Sequence, residues 1–502
     1  MMDVENKKKY IELLLERNIL VEPSKLTAFT EADFEALLNS AEGELKAEAK
    51  ISEVAEPEPE TNISSDSPRD HIRPSKQDKT EQKPFSRVKV VFNYKDETKK
   101  REIKDFVEYY NKRFEALRDI LRQRREMINI TSINKLLSKK DKAEVCVIGI
   151  VSEIRKTKNG HIMLTLEDKT GTINVLVNKN REDLLELAND VVLDEVIGIT
   201  GSISDKLIFS NSIILPDVIM NKEFKKCNDE CYAVFTSDFH VGATKFLPEN
   251  LEKFFAWLNG EVGNEEQKAV ASKVRYLFIA GDLVEGVGIF PEQEQELSIK
   301  DIYAQYNAFT EYVKKIPKDI QIIICPGNHD AVRLSEPQTV IPKEFVPELY
   351  NMPNVTMVTS PGIVNIHSTD KFSGFDVLLY HGTSFIYYAD KVESLRTKGG
   401  IDRIDLVMKF LLQKRHLAPT HTSTLYIPDT RSDPLIIDSI PDFFVTGHIH
   451  KVAVSNFRST TLISGSCWIE KTSYQEKLGV HPEPARVPIV NLQTREVRIL
   501  RF

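Results

Sequence analysis

Apolar residues first recur at helical spacing near residues 6–40, where Ile11, Leu14 and Leu15 are followed by Phe34, Leu37 and Leu38, with Thr30 and Asp33 placed as an N-cap pair. The pattern predicts a small helical module over residues 1–42. From 43 to 86 the apolar positions nearly vanish into stretches such as AEPEPETNISSDSPRD, which cannot bury enough surface to offset the entropy of ordering. This segment is expected to be a disordered linker carrying the module as a tethered arm. Over 87–140 the reading is a strand at Val88–Phe92 and an amphipathic helix at Ile103–Arg125, with Phe106, Tyr110, Phe114, Leu117 and Leu121 on the face that packs against the next domain. Its other face carries Arg113, Arg118, Arg122, Arg124 and Arg125, more readily a solvated face than a set of phosphate contacts.

Between 141 and 220 the period shortens to two. AEVCVIGIVSEI, HIMLTLEDKTG, TINVLV, VIGITGSIS and LIFSNSIIL read as five strands, enough for a small barrel, and LTLEDKTGTINVLV resembles the strand–turn–strand of OB folds, with Gly171 in the turn. Phe209 is the one aromatic of these strands, so a docking or structural role for the barrel is as well supported as single-strand binding by base stacking. From 231 to 502 apolar runs alternate with helical stretches, as in an α/β domain.

Composition narrows the class without naming a function. The chain of 502 residues has 41% hydrophobic and 28% charged residues, a length that suits several domains and a balance ordinary for a globular protein. No apolar run approaches the ~20 residues of a membrane span, and MMDVENKKKY lacks the apolar core of a secretory signal; a cytoplasmic protein without membrane contact is expected. Five cysteines are too few and odd in number for a disulfide framework, and Cys227 and Cys231 form a lone CxxxC whose missing second pair weighs against zinc. A net charge of −8 gives no global attraction for nucleic acid, leaving any to local patches, a partner or bound metal.

The chemistry is concentrated after Tyr232. Five times an apolar run ends directly in polar residues: YAVFTS before Asp238-Phe239-His240, YLFIA before Gly281-Asp282, IIIC before Pro326-Gly327-Asn328-His329-Asp330, VLLY before His381-Gly382, and FFVT before Gly447-His448-Ile449-His450. Carboxyl ends of strands in α/β folds gather such groups in one crevice. Carboxylates, imidazoles and an amide without a thiolate suit two divalent cations sharing one carboxylate, the arrangement used for metal-assisted hydrolysis. Gly281, Gly327, Gly382 and Gly447 flank these residues, where the chain must bend tightly. His367, His416, His421 and His481 read as ordinary core or surface histidines.

The set D-x-H, GD, GNHD, HG, GHxH resembles the calcineurin-like metallophosphoesterase superfamily over residues 231–502. The resemblance implies a four-layer αββα phosphoesterase domain, in an α/β (overall α+β) chain that also holds the OB-fold barrel and the N-terminal helical module. It implies one metal held by Asp238, His240, Asp282 and His450, and a second by Asp282, Asn328, His381 and His448, with Asp282 as the bridge. His329 is then the catalytic residue facing the scissile phosphate. The metals implied are manganese foremost, with magnesium or another transition metal as alternatives. The order of modules resembles the small subunits of archaeal family D DNA polymerases. That resemblance implies a 3′→5′ proofreading exonuclease in a heterodimer with a large polymerising subunit, acting on DNA at 3′ primer ends. It also suggests that the N-terminal module contacts a sliding clamp or other replication protein. The alternatives are a non-catalytic assembly subunit or a stand-alone repair nuclease. The segment Asp390–Thr430 reads as a helical insertion whose Lys391, Arg396, Lys398, Arg403, Lys409, Lys414 and Arg415 either guide DNA or face solvent.

Overall fold

A computed structural model of the chain describes residues 88–97, 99–138, 142–472, 475–476 and 481–502. The predicted helical module and linker lie outside these residues. The predicted strand and helix appear as β1 (Lys89–Asn93) and α1 (Ile103–Leu121). A short helix α2 (Ile133–Leu137) leads into β2 (Ala143–Lys156), β3 (Ile162–Asp168) and β4 (Gly171–Val177), then α3 (Glu182–Asn189), β5 (Val196–Ser204) and β6 (Leu207–Ile214). The five strands close in the order β2-β3-β4-β6-β5. Period-two alternation turns Val145, Val147, Leu164, Leu166, Val175, Val177, Ile197 and Ile199 into one buried interior, the filling a small OB-type barrel needs. Gly171 does not make the β3–β4 turn. It pairs with Asp168 as the first residue of β4, while the Asp168 carboxylate accepts from the backbone amide of Thr170 at 2.7 Å and so closes the turn itself.

The rest of the chain builds two six-stranded sheets among the described residues. Its elements are β7 (Tyr232–Thr236), α4 (Pro248–Leu258), α5 (Glu265–Ala271), β8 (Val274–Ala280), α6 (Ile302–Lys314), β9 (Gln321–Cys325), α7 (Pro347–Asn351), β10 (Val355–Met357), β11 (Gly362–Ile366) and β12 (Phe375–Leu379). Helices α8 (Phe385–Lys391), α9 (Glu393–Thr397) and α10 (Ile404–Lys414) follow, then β13 (Phe443–Thr446), β14 (Ala453–Phe457), β15 (Thr460–Ser464), β16 (Arg486–Asn491) and β17 (Val497–Arg501). One sheet runs β10-β9-β8-β7-β16-β17 and the other β1-β11-β12-β13-β15-β14. Their central strands are buried on both faces, and alternate residues enter different cores. Phe235, Phe278, Ile323, Val377, Phe443 and Ile463 meet between the sheets. Val234, Leu277 and Ile322 instead face Phe254, Tyr306 and Phe309 of α4 and α6. On the far side Leu378, Phe444 and Leu462 face Tyr388, Met408 and Leu411 of α8 and α10.

Three expectations change. Strand β1 pairs with β11 at the edge of the second sheet, whereas α1 and α2 contact the barrel, so the 87–140 segment is shared between domains. Apolar alternation marks a strand but not its partner. Arg113 is neither solvated nor free for phosphate: it is fully buried against Asp433. Lys414 and Arg415 likewise leave the candidate DNA-guiding set, because both are buried and Lys414 holds Glu195 of the barrel at 2.8 Å. Lys391, Arg396, Lys398, Arg403 and Lys409 stay exposed.

Candidate metal centre

Parallel pairing of β7 with β8, β8 with β9, and β12 with β13 aligns their carboxyl ends. Each of the eight predicted site residues lies just beyond one of these ends. Five of them, Asp238, His240, Asp282, His448 and His450, adopt left-handed backbone with φ between 52° and 71°. Non-glycine residues rarely accept this conformation, and its cost persists only where the surroundings fix it, characteristically at functional sites. Gly281, at φ 90°, lets the chain turn between β8 and Asp282. Gly327 answers to crowding instead, since a β-carbon there would stand 2.7 Å from Cε1 of His381.

The side chains form two groups. Asp238, His240 and His450 offer donor atoms within 4.8 Å of one another, as do Asp282, His381 and His448. In the first, Nε2 of His240 and Nε2 of His450 are 3.0 Å apart, and His450 Nε2 is 3.4 Å from Asp238 Oδ1. In the second, His381 Nε2 is 3.2 Å from Asp282 Oδ2 and 3.1 Å from the Asn328 amide oxygen. Asp282 Oδ2 is also 3.8 Å from His240 Nε2, which places one carboxylate between the groups. Donors about 2.1 Å from a shared cation sit roughly 3.0–3.4 Å from each other, a range the closest contacts within each group meet, so the residues present fit divalent cations.

Hydrogen bonds aim the ligands. His381 donates from Nδ1 to the Ala280 carbonyl at 2.8 Å, leaving Nε2 toward the centre. The His448 amide donates to Asp238 and the His329 amide to Asp282 Oδ1, each tying one strand end to another. Burial and the neighbouring His381 push His448 down to about 3, a neutral imidazole suited to ligation. Burial alone would lower His381, but the adjacent Asp282 carboxylate outweighs it and holds this residue up to about 9. Metal binding at such a pair would therefore release a proton.

His329 stands outside both groups. Its ring packs edge-on to His240 at 4.7 Å and it donates from Nδ1 to the Glu285 carbonyl at 2.7 Å, so its Nε2 is the nitrogen left for a substrate. Two residues absent from the predicted site complete the arrangement. Glu285 is buried with Oε2 2.8 Å from Nδ1 of His240, and its Oε1 is 3.9 Å from Nδ1 of His329. Asp330 accepts from the amides of Gly327 at 2.8 Å and Leu283 at 3.2 Å, joining the turns after β8 and β9. The available signals were spacing alone: Glu285 three residues after Asp282 in GDLVEG, and Asp330 closing GNHD.

This pairing of an OB-type barrel with a two-sheet α/β domain has sequence counterparts. The family of DNA polymerase alpha/epsilon B subunits matches residues 233–454, and that described as OB-fold nucleic acid binding domain matches residues 145–215. The fold and site thus define an accessory subunit of the kind that replicative polymerases carry. The DNA polymerase II small subunit of Methanothermobacter thermautotrophicus is 36% identical over 392 residues, covering 78% of each chain. Those of Methanocaldococcus jannaschii and Archaeoglobus fulgidus are 38% and 37% identical over 78% and 80% of this chain, and 64% and 77% of theirs. The chain belongs to the family of archaeal DNA polymerase II small subunits.

Proposed function

We propose that the chain is a divalent-metal-dependent 3′→5′ exonuclease with a calcineurin-like phosphoesterase domain, editing for a large polymerising partner subunit in DNA replication. The observation that carries this reading is the convergence of five left-handed ligand-type residues from three strand ends onto two adjacent groups with the Asp282 carboxylate between them. A packing role explains none of that strain, since buried apolar residues would fill the crevice at lower cost. The sheets with helices on both outer faces agree with the four-layer arrangement expected of such a domain.

Asp238, His240, Asp282 and His450 would hold one cation, and Asp282, Asn328, His381 and His448 the other, with manganese the first candidate. Bound cations would supply an activated water and charge neutralisation at the phosphate. The protein's own contribution is positional. Ala280, Glu285 and Asp330 fix ring and loop orientations, and His329 presents Nε2 to the phosphodiester, where it can stabilise developing charge or protonate the leaving 3′-oxygen. The exposed Lys391, Arg396, Lys398, Arg403 and Lys409 offer a basic surface for the DNA end.

The test is nucleotide release from a 3′-mismatched primer by the purified chain, alone and with its large subunit, in manganese. Asp282→Asn and His450→Ala should abolish release while leaving polymerisation by the complex intact. Intact primer with the wild-type complex, or unaltered release by both variants, would leave an assembly role instead.

A further inference from the structure

The CxxxC pair set aside in the sequence does not stand alone in three dimensions. His367, 136 residues beyond Cys231, follows β11 and turns into the same pocket, its backbone in the left-handed region at φ 61°. Cys227, Cys231 and His367 are all buried, and their sulfur and nitrogen atoms lie within 4.8 Å of one another. Cys231 Sγ is 3.7 Å from His367 Nδ1. A tetrahedral zinc with Zn–S near 2.3 Å and Zn–N near 2.05 Å sets sulfur and nitrogen about 3.6 Å apart.

Within the apolar core between the sheets, these groups have polar partners. Asp229 Oδ1 accepts from Nε2 of His367 at 2.9 Å, which leaves Nδ1 as the unprotonated nitrogen, as in the carboxylate–histidine pairs found behind metal ligands. The Tyr276 hydroxyl donates to Nδ1 at 3.2 Å, a bond that a metal ion would replace. The loop is clamped at both ends: the Cys227 amide donates to Leu492, and the Leu492 amide donates to the Cys231 carbonyl.

We propose that Cys227, Cys231 and His367 form a zinc-binding site, with Asp229 orienting the histidine. Cys231 precedes β7 at its amino end while Asp238 follows its carboxyl end, about 20 Å away at ~3.3 Å per residue. This zinc takes no part in hydrolysis. It joins the base of β7 in one sheet to the end of β11 in the other.

The test uses the full chain loaded with cobalt(II) or zinc. Wild-type protein and Asp282→Asn should both show thiolate-to-cobalt charge transfer and a zinc–sulfur shell near 2.3 Å by X-ray absorption. Cys227→Ser should lose the band and one equivalent of zinc per chain, with nuclease-site metal retained. Should that variant fail to fold, titration of the wild type with a mercurial decides, releasing one zinc as two thiols react. The proposal is overturned by oxygen- and nitrogen-only coordination in the wild type, or by a Cys227–Cys231 disulfide in non-reducing mass spectrometry.

Discussion

Replacing Arg113 by Met tests how α1 joins the two folded parts of the chain. Arg113 donates from Nε to Asp433 Oδ2 at 2.7 Å, from one terminal nitrogen to the carbonyls of Pro419 at 2.6 Å and Asp194 at 3.3 Å, and from the other to the Tyr109 hydroxyl at 3.4 Å. Asp194 belongs to the barrel and Pro419 to the α/β domain, so one guanidinium spans both. Asp433 in turn accepts from Tyr109 at 2.6 Å and from His416 Nε2 at 2.8 Å. Both charged side chains are fully buried, and truncating one partner of such a pair costs about 3–5 kcal/mol because the other charge is left unpaired. Although burial opposes it, His416 and Arg113 hold the Asp433 carboxyl well below its usual range, so its contribution to stability is present above about pH 4 and lost on acidification below that. Arg113→Met should therefore lower unfolding free energy by ~3–5 kcal/mol in urea titrations, and Arg113→Met with Asp433→Asn should recover ~1–3 kcal/mol of it. Hydrogen exchange should show barrel and α1 peptides losing protection first. A single variant within about 1 kcal/mol of wild type, or a double variant costing the sum of the singles, would refute the reasoning.

Glu336 is buried and accepts from Tyr380 at 3.0 Å and from Thr383; burial, only partly offset by those bonds, pushes it up to about 7. Its folded pKa exceeds the unfolded value, so the stability tied to its protonated form is full below pH ~4.5 and falls as pH rises through 7. Glu336→Gln should flatten that decline, gaining up to about 3 kcal/mol over wild type at pH 8.5 in denaturant titrations, and a parallel pH profile would contradict the assignment. Glu285→Gln should lower nuclease kcat about 10–100-fold with primer affinity unchanged, measured by single-turnover cleavage and anisotropy; equal loss of affinity would point to a disturbed surface instead. Gly327→Ala, whose β-carbon would stand 2.7 Å from His381, should abolish manganese-dependent cleavage while circular dichroism is retained, and full activity would show that the ligands can yield.

Much of the architecture was legible because buried strands leave a period-two or continuous apolar signature and helices a 3.6-residue one. The five barrel strands and the strand-end positions of Asp238, Asp282, Asn328, His381 and His448 follow from that signature alone. The conclusions that failed concern partners. Arg113 looked like one cation in a solvated row, yet a single turn of helix register set it against Asp433, 320 residues away. Lys414 and Arg415 read as either DNA-guiding or solvent-facing charge; Lys414 instead closes the joint with the barrel, and Arg415 is buried against the Ile437 carbonyl. Glu285 carried no signal beyond its spacing, and only the approach of β7 to β8 brings it against His240.

Residue types and local periodicity are written into the chain, so the sequence by itself determined the elements, the family and the inventory of ligand-type groups. Which buried charge meets which, and that Cys227 and Cys231 gain His367 as a third donor, was decided by tertiary structure. The physical reason is that such pairings depend on strand register and sheet-to-sheet packing, which are long-range properties that no local pattern encodes.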